Sequence, residues 1–228
     1  MYKRQVRKVE LNADGTVKSD VITPVNPTAA VSVTADNGYE FVNWTSGDET
    51  YADEAAIKGA KFSEDKVFTA NFTKRTDLSY GVHYFYENVE DPDEADVKTD
   101  ATFGMTIPYD MKTPKDHGGH HYVLEKVVKT GDGTVTTTEA NNIVNVYYVL
   151  DEKGENGGSD GTADEYQATF TYVSGGNGTV SGTTSEMHTV RKVELNADGT
   201  VKSDVTTPVL SLIHISSSIS TISTVSCI

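Results

Sequence analysis

Val6 to Val25, VRKVELNADGTVKSDVITPV, returns at Val190 to Val209 as VRKVELNADGTVKSDVTTPV, with Ile22 against Thr206 as the single difference. Near-identity of that length is more than a shared fold enforces. The chain therefore reads as one period of a tandem array, 190 − 6 = 184 residues long, plus a short overlap. That constrains 228 residues to small repeating modules, and two of roughly eighty to a hundred residues fill the period better than one domain. Each has a marginal core. On this reading the chain starts and stops inside a repeat.

Both ends fit that expectation. MYKRQ at 1–5 back-translates to GTG TAT AAG AGA CAG, with GTG as the start codon, and LSLIH at Leu210 to His214 to CTG TCT CTT ATA CAC. The two are reverse complements and resemble translations of the end sequence that transposase-based library preparation adds to DNA. The final residues, ISSSISTISTVSCI, match nothing upstream, whereas a continuing repeat would place an Asn-Pro-Thr like Asn26-Pro27-Thr28 after Val209. Residues 1–5 and 210–228 are accordingly set aside as artefact.

Charge and cysteine narrow the function classes. The formal charge is −15, and removing Lys3 and Arg4 with the first five residues makes it −15 − 2 = −17. Such a surface repels a polyanion, and no basic stripe with interleaved aromatics offsets the repulsion, so no nucleic-acid partner is expected. The single cysteine, Cys227, lies in the set-aside tail, which excludes disulfides and thiolate metal sites from the rest. No stretch approaches the roughly 18 apolar residues of a membrane span. Composition permits an exported stalk that is stable without disulfides.

The duplicated stretch reads as a hairpin, VRKVEL and TVKSDV around Asp14-Gly15, where glycine supplies the positive φ of a tight turn. Ala29, Val31 and Val33 alternate with small polar residues and predict a half-buried strand. Asp36-Asn37-Gly38 turns into a strand from Tyr39 to Trp44, and Asp53 is placed to cap a short helix over 54–60. Val67 to Phe72 closes the module as a last strand. Gly38, Tyr39, Phe41, Trp44, Ala70 and Phe72 give this part a G-Y-x-F-x-x-W segment and an A-x-F in its closing strand. It resembles the internalin-type B-repeat, also called the Listeria/Bacteroides repeat, which implies a β-grasp-like module of one helix on a small sheet. The first strand of that module, Tyr166 to Val173, lies at the other end of the chain. The charged hairpin is a departure from the family pattern.

A second module begins near Ser79. Val82, Tyr84 and Tyr86 alternate with His83 and Phe85, which predicts a strand with aromatics on both faces. Residues 87–96, ENVEDPDEAD, read as a loop before a segment from Val97 to Phe103. His121 to Lys129 alternates again, Gly131-Asp132-Gly133 turns the chain, and Ile143 to Leu150 reads as a central strand buried on both faces. Val82, Tyr84, Tyr86, Val144, Val146, Tyr147 and Tyr148 carry a resemblance to the mucin-binding-protein-like repeat, MucBP. That implies a ubiquitin-like β-grasp with first and last strands side by side. Residues 151–165, DEKGENGGSDGTADE, read as an acidic Gly-rich linker kept extended by like charges.

The expected architecture is thus a β-rich α+β chain of tandem β-grasp-like modules. Its parts are a partial B-repeat-like module at 6–77, a MucBP-like module at 78–150, the linker at 151–165 and the start of the next B-repeat-like module at 166–209.

Few residues point to chemistry. His117, His120 and His121 have metal-like spacing, but no cysteine joins them and two glycines loosen the loop. Asp91, Asp93, Glu94 and Asp96 crowd carboxylates as calcium ligands do, yet Pro92 interrupts them and no glycine makes the sharp turn a calcium loop needs. Asp151, Glu152, Glu155, Asp160, Asp164 and Glu165 read as a solvated acidic run with screened attraction for cations. Trp44, near Tyr39 and Tyr51, could stack on a sugar face, though a lone aromatic on a short strand is more often core. Lys126 or Asn145 would suit an intramolecular isopeptide bond, but no acid to catalyse it is identifiable. No nucleophile elbow, phosphate loop or zinc-protease helix is present.

No catalytic, metal or cofactor site is therefore expected, no ligand-binding residue is assigned, and the chain is not expected to be an enzyme. The resemblances imply a repeat segment of an exported, cell-wall-associated bacterial adhesin that extends a stalk. Its partners would be host or extracellular glycans and glycoproteins, bound weakly and multivalently, and neighbouring repeats. The alternative is a pure structural spacer with no ligand, and a weaker one is a repeat region appended to a secreted enzyme.

Overall fold

A computed structural model describes residues 7–207. The adapter-like ends, the Ser/Ile tail and Cys227 lie outside the described residues. In chain order the strands and helix are β1 (Arg7–Leu11), β2 (Val17–Ile22), β3 (Tyr39–Ser46), β4 (Glu49–Tyr51), α1 (Glu54–Gly59), β5 (Thr69–Lys74), β6 (Leu78–Tyr86), β7 (Val89–Ala101) and β8 (Lys115–His117). Then come β9 (His120–Lys129), β10 (Ile143–Leu150), β11 (Gln167–Thr171), β12 (Ser185–Thr189), β13 (Arg191–Leu195) and β14 (Val201–Thr206). Strand outweighs helix, 48% against 7%, so the chain is β-rich.

The sheets are β1-β2, β4-β3-β5, β7-β6-β10-β9-β8, β11-β12 and β13-β14. Two compact units partition the chain, and they do not follow chain order. The first takes the described parts of Met1–His83, Pro92–Asp110 and Val128–Asn145, and the second takes those of Tyr84–Asp91, Met111–Val127 and Val146–Ile228.

In the first unit, β1 and β2 form the expected hairpin. Gly15 sits at φ +80°, and the Asp14 carboxylate accepts from the Thr16 backbone N–H and hydroxyl at 3.0 and 2.6 Å. The helix is capped as its sequence suggests, with Asp53 accepting from Ala56 N at 2.8 Å. It is six residues long and buries Ile57. β3 runs antiparallel to both β4 and β5 and carries Trp44 into the core.

Ala29 to Val33, expected as a strand, is irregular instead. Its backbone is committed elsewhere. Val31 N donates to the Glu54 carboxylate at 2.6 Å, and just upstream the Asn26 amide bonds Lys58 O and Ala60 O at 2.9 and 2.7 Å. Nor is it half-buried: Val31 and Val33 are 49% and 36% exposed, because alternation alone supplies the segment no partner strand.

The stretch 87–96, expected as a loop, is a turn followed by strand. Glu87 and Asn88 hold φ at 50° and 65°, the pair of left-handed residues that a two-residue hairpin turn requires, and β7 then runs for 13 residues. β7 is an edge strand, where a missing proline N–H and a row of carboxylates are both tolerated. Breaker residues misled because they are breakers only inside a sheet.

β6 and β10 are neighbours, as the resemblance of 78–150 implies. Gly81 N bonds Asn142 O at 2.9 Å and Glu87 N bonds Tyr148 O at 3.0 Å; both partners advance together, so the pair is parallel. Val82, Val144 and Val146 are fully buried. Within 78–150 the only described helical element is the single 3-10 turn Glu139–Asn141, not the α-helix that a β-grasp layer calls for.

Candidate functional site

Residues 151–165 are the largest departure from expectation. Asp151 is fully buried, and its carboxylate accepts from the Ser159 hydroxyl, from Asp160 N at 2.8 Å and from Gly161 N at 2.9 Å. Asp164 Oδ1 accepts from Glu152 N and Lys153 N at 2.9 and 3.0 Å, while Lys153 Nζ bonds Asp164 O at 2.6 Å. Asp160 receives the Gln167 side-chain amide at 2.6 Å. The acidic run is thus a folded turn rather than an extended linker: its carboxylates bind their own backbone N–H groups, which outweighs like-charge repulsion screened over a few ångströms.

That turn carries the chain into a small core. Val149, Ala163 and Tyr166 are buried together, with Val123 and Val193 packed against them. A recess of about 460 Å³ lies beside it, lined in part by Val123, Leu124, Tyr166, Arg191, Val193 and Leu195. The Arg191 guanidinium lies 4.6 Å from the Tyr166 ring centre and bonds both oxygens of Asp204, at 2.9 and 2.8 Å, and Glu165 at 2.9 Å. Burial pushes the Tyr166 phenol up to about 12, against the opposing pull of Arg191. Asp204 is held below the ordinary carboxylate range, chiefly by its hydrogen bond from Arg191.

The three histidines do not converge. His117 and His120 are cross-strand partners in the β8–β9 hairpin, and each imidazole meets its own carboxylate. His117 Nε2 is 3.3 Å from Asp91, His120 Nδ1 is 3.1 Å from Glu152, and His121 Nδ1 is 2.6 Å from Asp116. The His117 ring also stacks on Tyr86, with centroids 3.8 Å apart. Asp91 thereby leaves the solvated acidic set for a pairing with His117 that sequence separation hid. Lys126 Nζ bonds Glu125 at 3.0 Å and lies over the Tyr147 ring.

Trp44 is 9% exposed and tilts against Phe41 at 6.0 Å, so its faces are used by the core and not offered to a sugar. Tyr51 packs edge-on to Phe68 at 5.6 Å, and Tyr39 to Phe103 at 5.9 Å. A shallow groove of about 290 Å³ runs past the Trp44 edge, lined by Pro27, Ala29, Val31, Ile57 and Phe68, with Glu54 and Lys58 at its rim. Those two charges pair with each other at 2.9 Å.

Residues 7–76 match the family model of the divergent InlB B-repeat domain. The match covers 76 − 7 + 1 = 70 of the 228 residues, from β1 through β5, and includes Gly38, Tyr39, Phe41, Trp44, Ala70 and Phe72. The charged hairpin β1–β2 lies inside the matched span. Neither curated proteins nor solved structures gave a match to the chain. B-repeats are found in bacterial surface proteins, and no helix among the described residues is long and apolar enough to cross a membrane.

Of the residues that build the second-unit site, the sequence offers Asp151 only as part of a solvated acidic run and Tyr166 only as the start of a strand, and it marks out neither Arg191 nor Gly199 for a site. One signal was available: Arg191 and Gly199 repeat Arg7 and Gly15 inside the duplicated stretch.

Proposed function

We propose that this chain is a repeat segment of an exported bacterial cell-surface protein and that its work is mechanical, extending a stalk. The duplication of the hairpin at an offset of 184 residues carries the reading, because only an array has a use for a second copy of a half-module. The B-repeat match over 7–76 supports it. Most of the polar groups that might have been chemical are engaged within the fold, His120 and His121 on carboxylates, the acidic run on backbone amides and Trp44 in the core, while Asp91, Glu94 and His117 lie close enough together to hold a metal ion. Non-catalytic function accords with the same pattern. The MucBP-like character of 78–150, the cell-wall attachment and the adapter origin of both ends belong to this reading.

Antibodies raised against the chain should label intact cells of the source organism. Labelling that appears only after lysis would overturn the surface assignment. Weak multivalent glycan binding is the second reading, and a groove beside Trp44 with two rim charges is the surface it would use. A chain immobilised at high density on a glycan array tests it, since avidity multiplies a feeble site through effective concentration. Silence at every density leaves the spacer function alone.

A further inference from the structure

The duplicated sequence folds twice into one hairpin in two different surroundings. Registers agree residue for residue: Val9 faces Asp20 as Val193 faces Asp204, and Leu11 faces Val17 as Leu195 faces Val201, with the same bulge after the glutamate. Arg7 grips Asp20 through two bonds, at 2.9 and 2.6 Å, as Arg191 grips Asp204. What differs is burial. Val9 and Leu11 are 45% and 58% exposed, whereas Val193 and Leu195 are half-buried. Gly15 is exposed and a Cβ there would touch nothing within 4 Å, while Gly199 is buried and a Cβ would meet Val127 at 2.5 Å and Met111 at 2.6 Å. On the opposite face Val21 and Val205 are each 53% exposed. One face of this hairpin is therefore made to be covered.

The second unit shows what covers it. Val127 N–H donates to Gly199 O at 2.8 Å and Val190 N–H to Tyr166 O at 2.7 Å. Val193 packs against the Val149, Ala163 and Tyr166 core, and the Arg191 guanidinium lies over the Tyr166 ring.

We propose that the exposed Arg7, Val9, Leu11 and Gly15 face of β1–β2 is a docking surface for a second copy of this chain, and that it binds on that copy's seat of Met111, Val127, Ala163 and Tyr166. The two hairpins are interchangeable on the seat, so the contact is an exchange in which β1–β2 of one copy replaces β13–β14 of the other. Its interface is head-to-tail, a geometry that propagates from copy to copy instead of closing on itself. The proposal goes beyond the stalk reading by naming the device that locks one period to the next, and cell labelling does not decide it.

In the unaltered chain the resident hairpin has the advantage of being tethered, so the test vacates the seat. Gly199→Asn adds the Cβ that Val127 and Met111 exclude, in a residue that accepts a left-handed φ, and Val193→Asp takes the apolar contact away. Gly15→Asn and Val9→Asp make the same changes where nothing is touched. Sedimentation velocity with hydrogen exchange over 190–207 reads the outcome. Chains carrying Gly199→Asn and Val193→Asp should lose protection over 190–207 and associate as concentration rises, at least tenfold more readily than the unaltered chain. Adding Gly15→Asn and Val9→Asp should return them to monomers. A vacated chain that stays monomeric at high micromolar concentration overturns the proposal, as does association that the N-terminal changes leave intact.

Discussion

Replacing Asp151 with alanine tests whether residues 151–165 are a built turn or a spacer. The side chain is fully buried and is the acceptor for Ser159 Oγ, Asp160 N and Gly161 N. Hydrogen bonds to a charged group contribute about 1.5–3 kcal/mol each, and a buried N–H left without a partner costs about 1–3 kcal/mol. Against this, the substitution relieves the desolvation of a buried carboxylate, and water reaches the exposed side of the turn once it loosens. The net cost is about 3 kcal/mol, enough to open the turn locally while leaving most of a domain's 5–15 kcal/mol intact. The chain's single tryptophan, Trp44, lies in the other unit, so its fluorescence is blind to this event. Amide exchange is the right assay: at 1.4 kcal/mol per decade, the amides of Asp160, Gly161 and Tyr166 should exchange roughly a hundredfold faster in Asp151→Ala. Asp151→Asn, which keeps one acceptor oxygen but turns an NH2 toward donors, should fall between the two. A change below about threefold in Asp151→Ala would mean the carboxylate holds nothing and the spacer suggested by composition is correct.

Three further outcomes rest on particular contacts. The Tyr166 hydroxyl is buried with no hydrogen-bond partner among the described residues, so Tyr166→Phe should raise the second unit's urea stability by about 1 kcal/mol. Because the folded state holds this phenol at about 12, above the usual 10, it favours the neutral form; the stability that gives is complete below pH 10 and lost between 10 and 12. Tyr166→Phe should flatten that alkaline fall, and an unchanged slope would assign it to another group. Asp53→Ala removes the α1 cap and should lower the Trp44-monitored transition by about 1 kcal/mol, since Ile57 and Trp44 line one groove; an unmoved midpoint would mean the helix is held by packing alone. Asp20 and Asp204 are both held low by hydrogen bonds from arginine, so what each contributes is present above the ordinary carboxylate range and lost as pH falls through the lowered value. Yet only Arg191 also bonds Glu165 and covers Tyr166. Asp204→Asn should deprotect 190–207 to exchange and Asp20→Asn should not; equal effects would argue that Arg191 acts only within its hairpin.

Legibility in the sequence followed the range of the interaction. The hairpin, the capped helix, the strand ending in Trp44 and the apolar strand Ile143–Leu150 were all readable because turn chemistry, capping and alternation act within a few residues. The acidic strand β7 was not, since whether Asp91, Pro92 and Asp93 may sit in a strand depends on that strand lying at an edge, and edge position is a fact about other strands. The turn at 151–165 failed for a related reason. Composition weighs the charges of Asp151, Asp160 and Asp164 against one another, whereas the fold pairs Asp151 and Asp164 with N–H groups at the far side of the turn, Asp160 and Gly161 for the first and Glu152 and Lys153 for the second, and nothing local in the sequence marks such pairs. His117 shows the same limit over longer range: spacing in the chain sets it beside His120 and His121, and the structure gives it Asp91.

The duplicated hairpin separates local from contextual stability in one molecule. Its two copies differ only at Ile22 and Thr206, so their Asp-Gly turns and every cross-strand pair but Arg7 with Ile22 and Arg191 with Thr206 are the same, and a difference in protection between residues 8–11 and residues 192–195 measures the seat. A two-stranded hairpin in water is marginally stable at best, whereas the seated copy adds a backbone bond from Val127 N to Gly199 O and half-buries Val193 and Leu195. One such bond and the partial burial of two aliphatic side chains together contribute about 2 kcal/mol, or roughly a thirtyfold slower exchange at 1.4 kcal/mol per decade. Peptides that run past Ile22 or Thr206 distinguish the copies by mass. Equal protection at low concentration would show that the hairpin is self-sufficient, that Val9 and Leu11 gain nothing from being covered, and that the contact between periods has no energetic basis in this face.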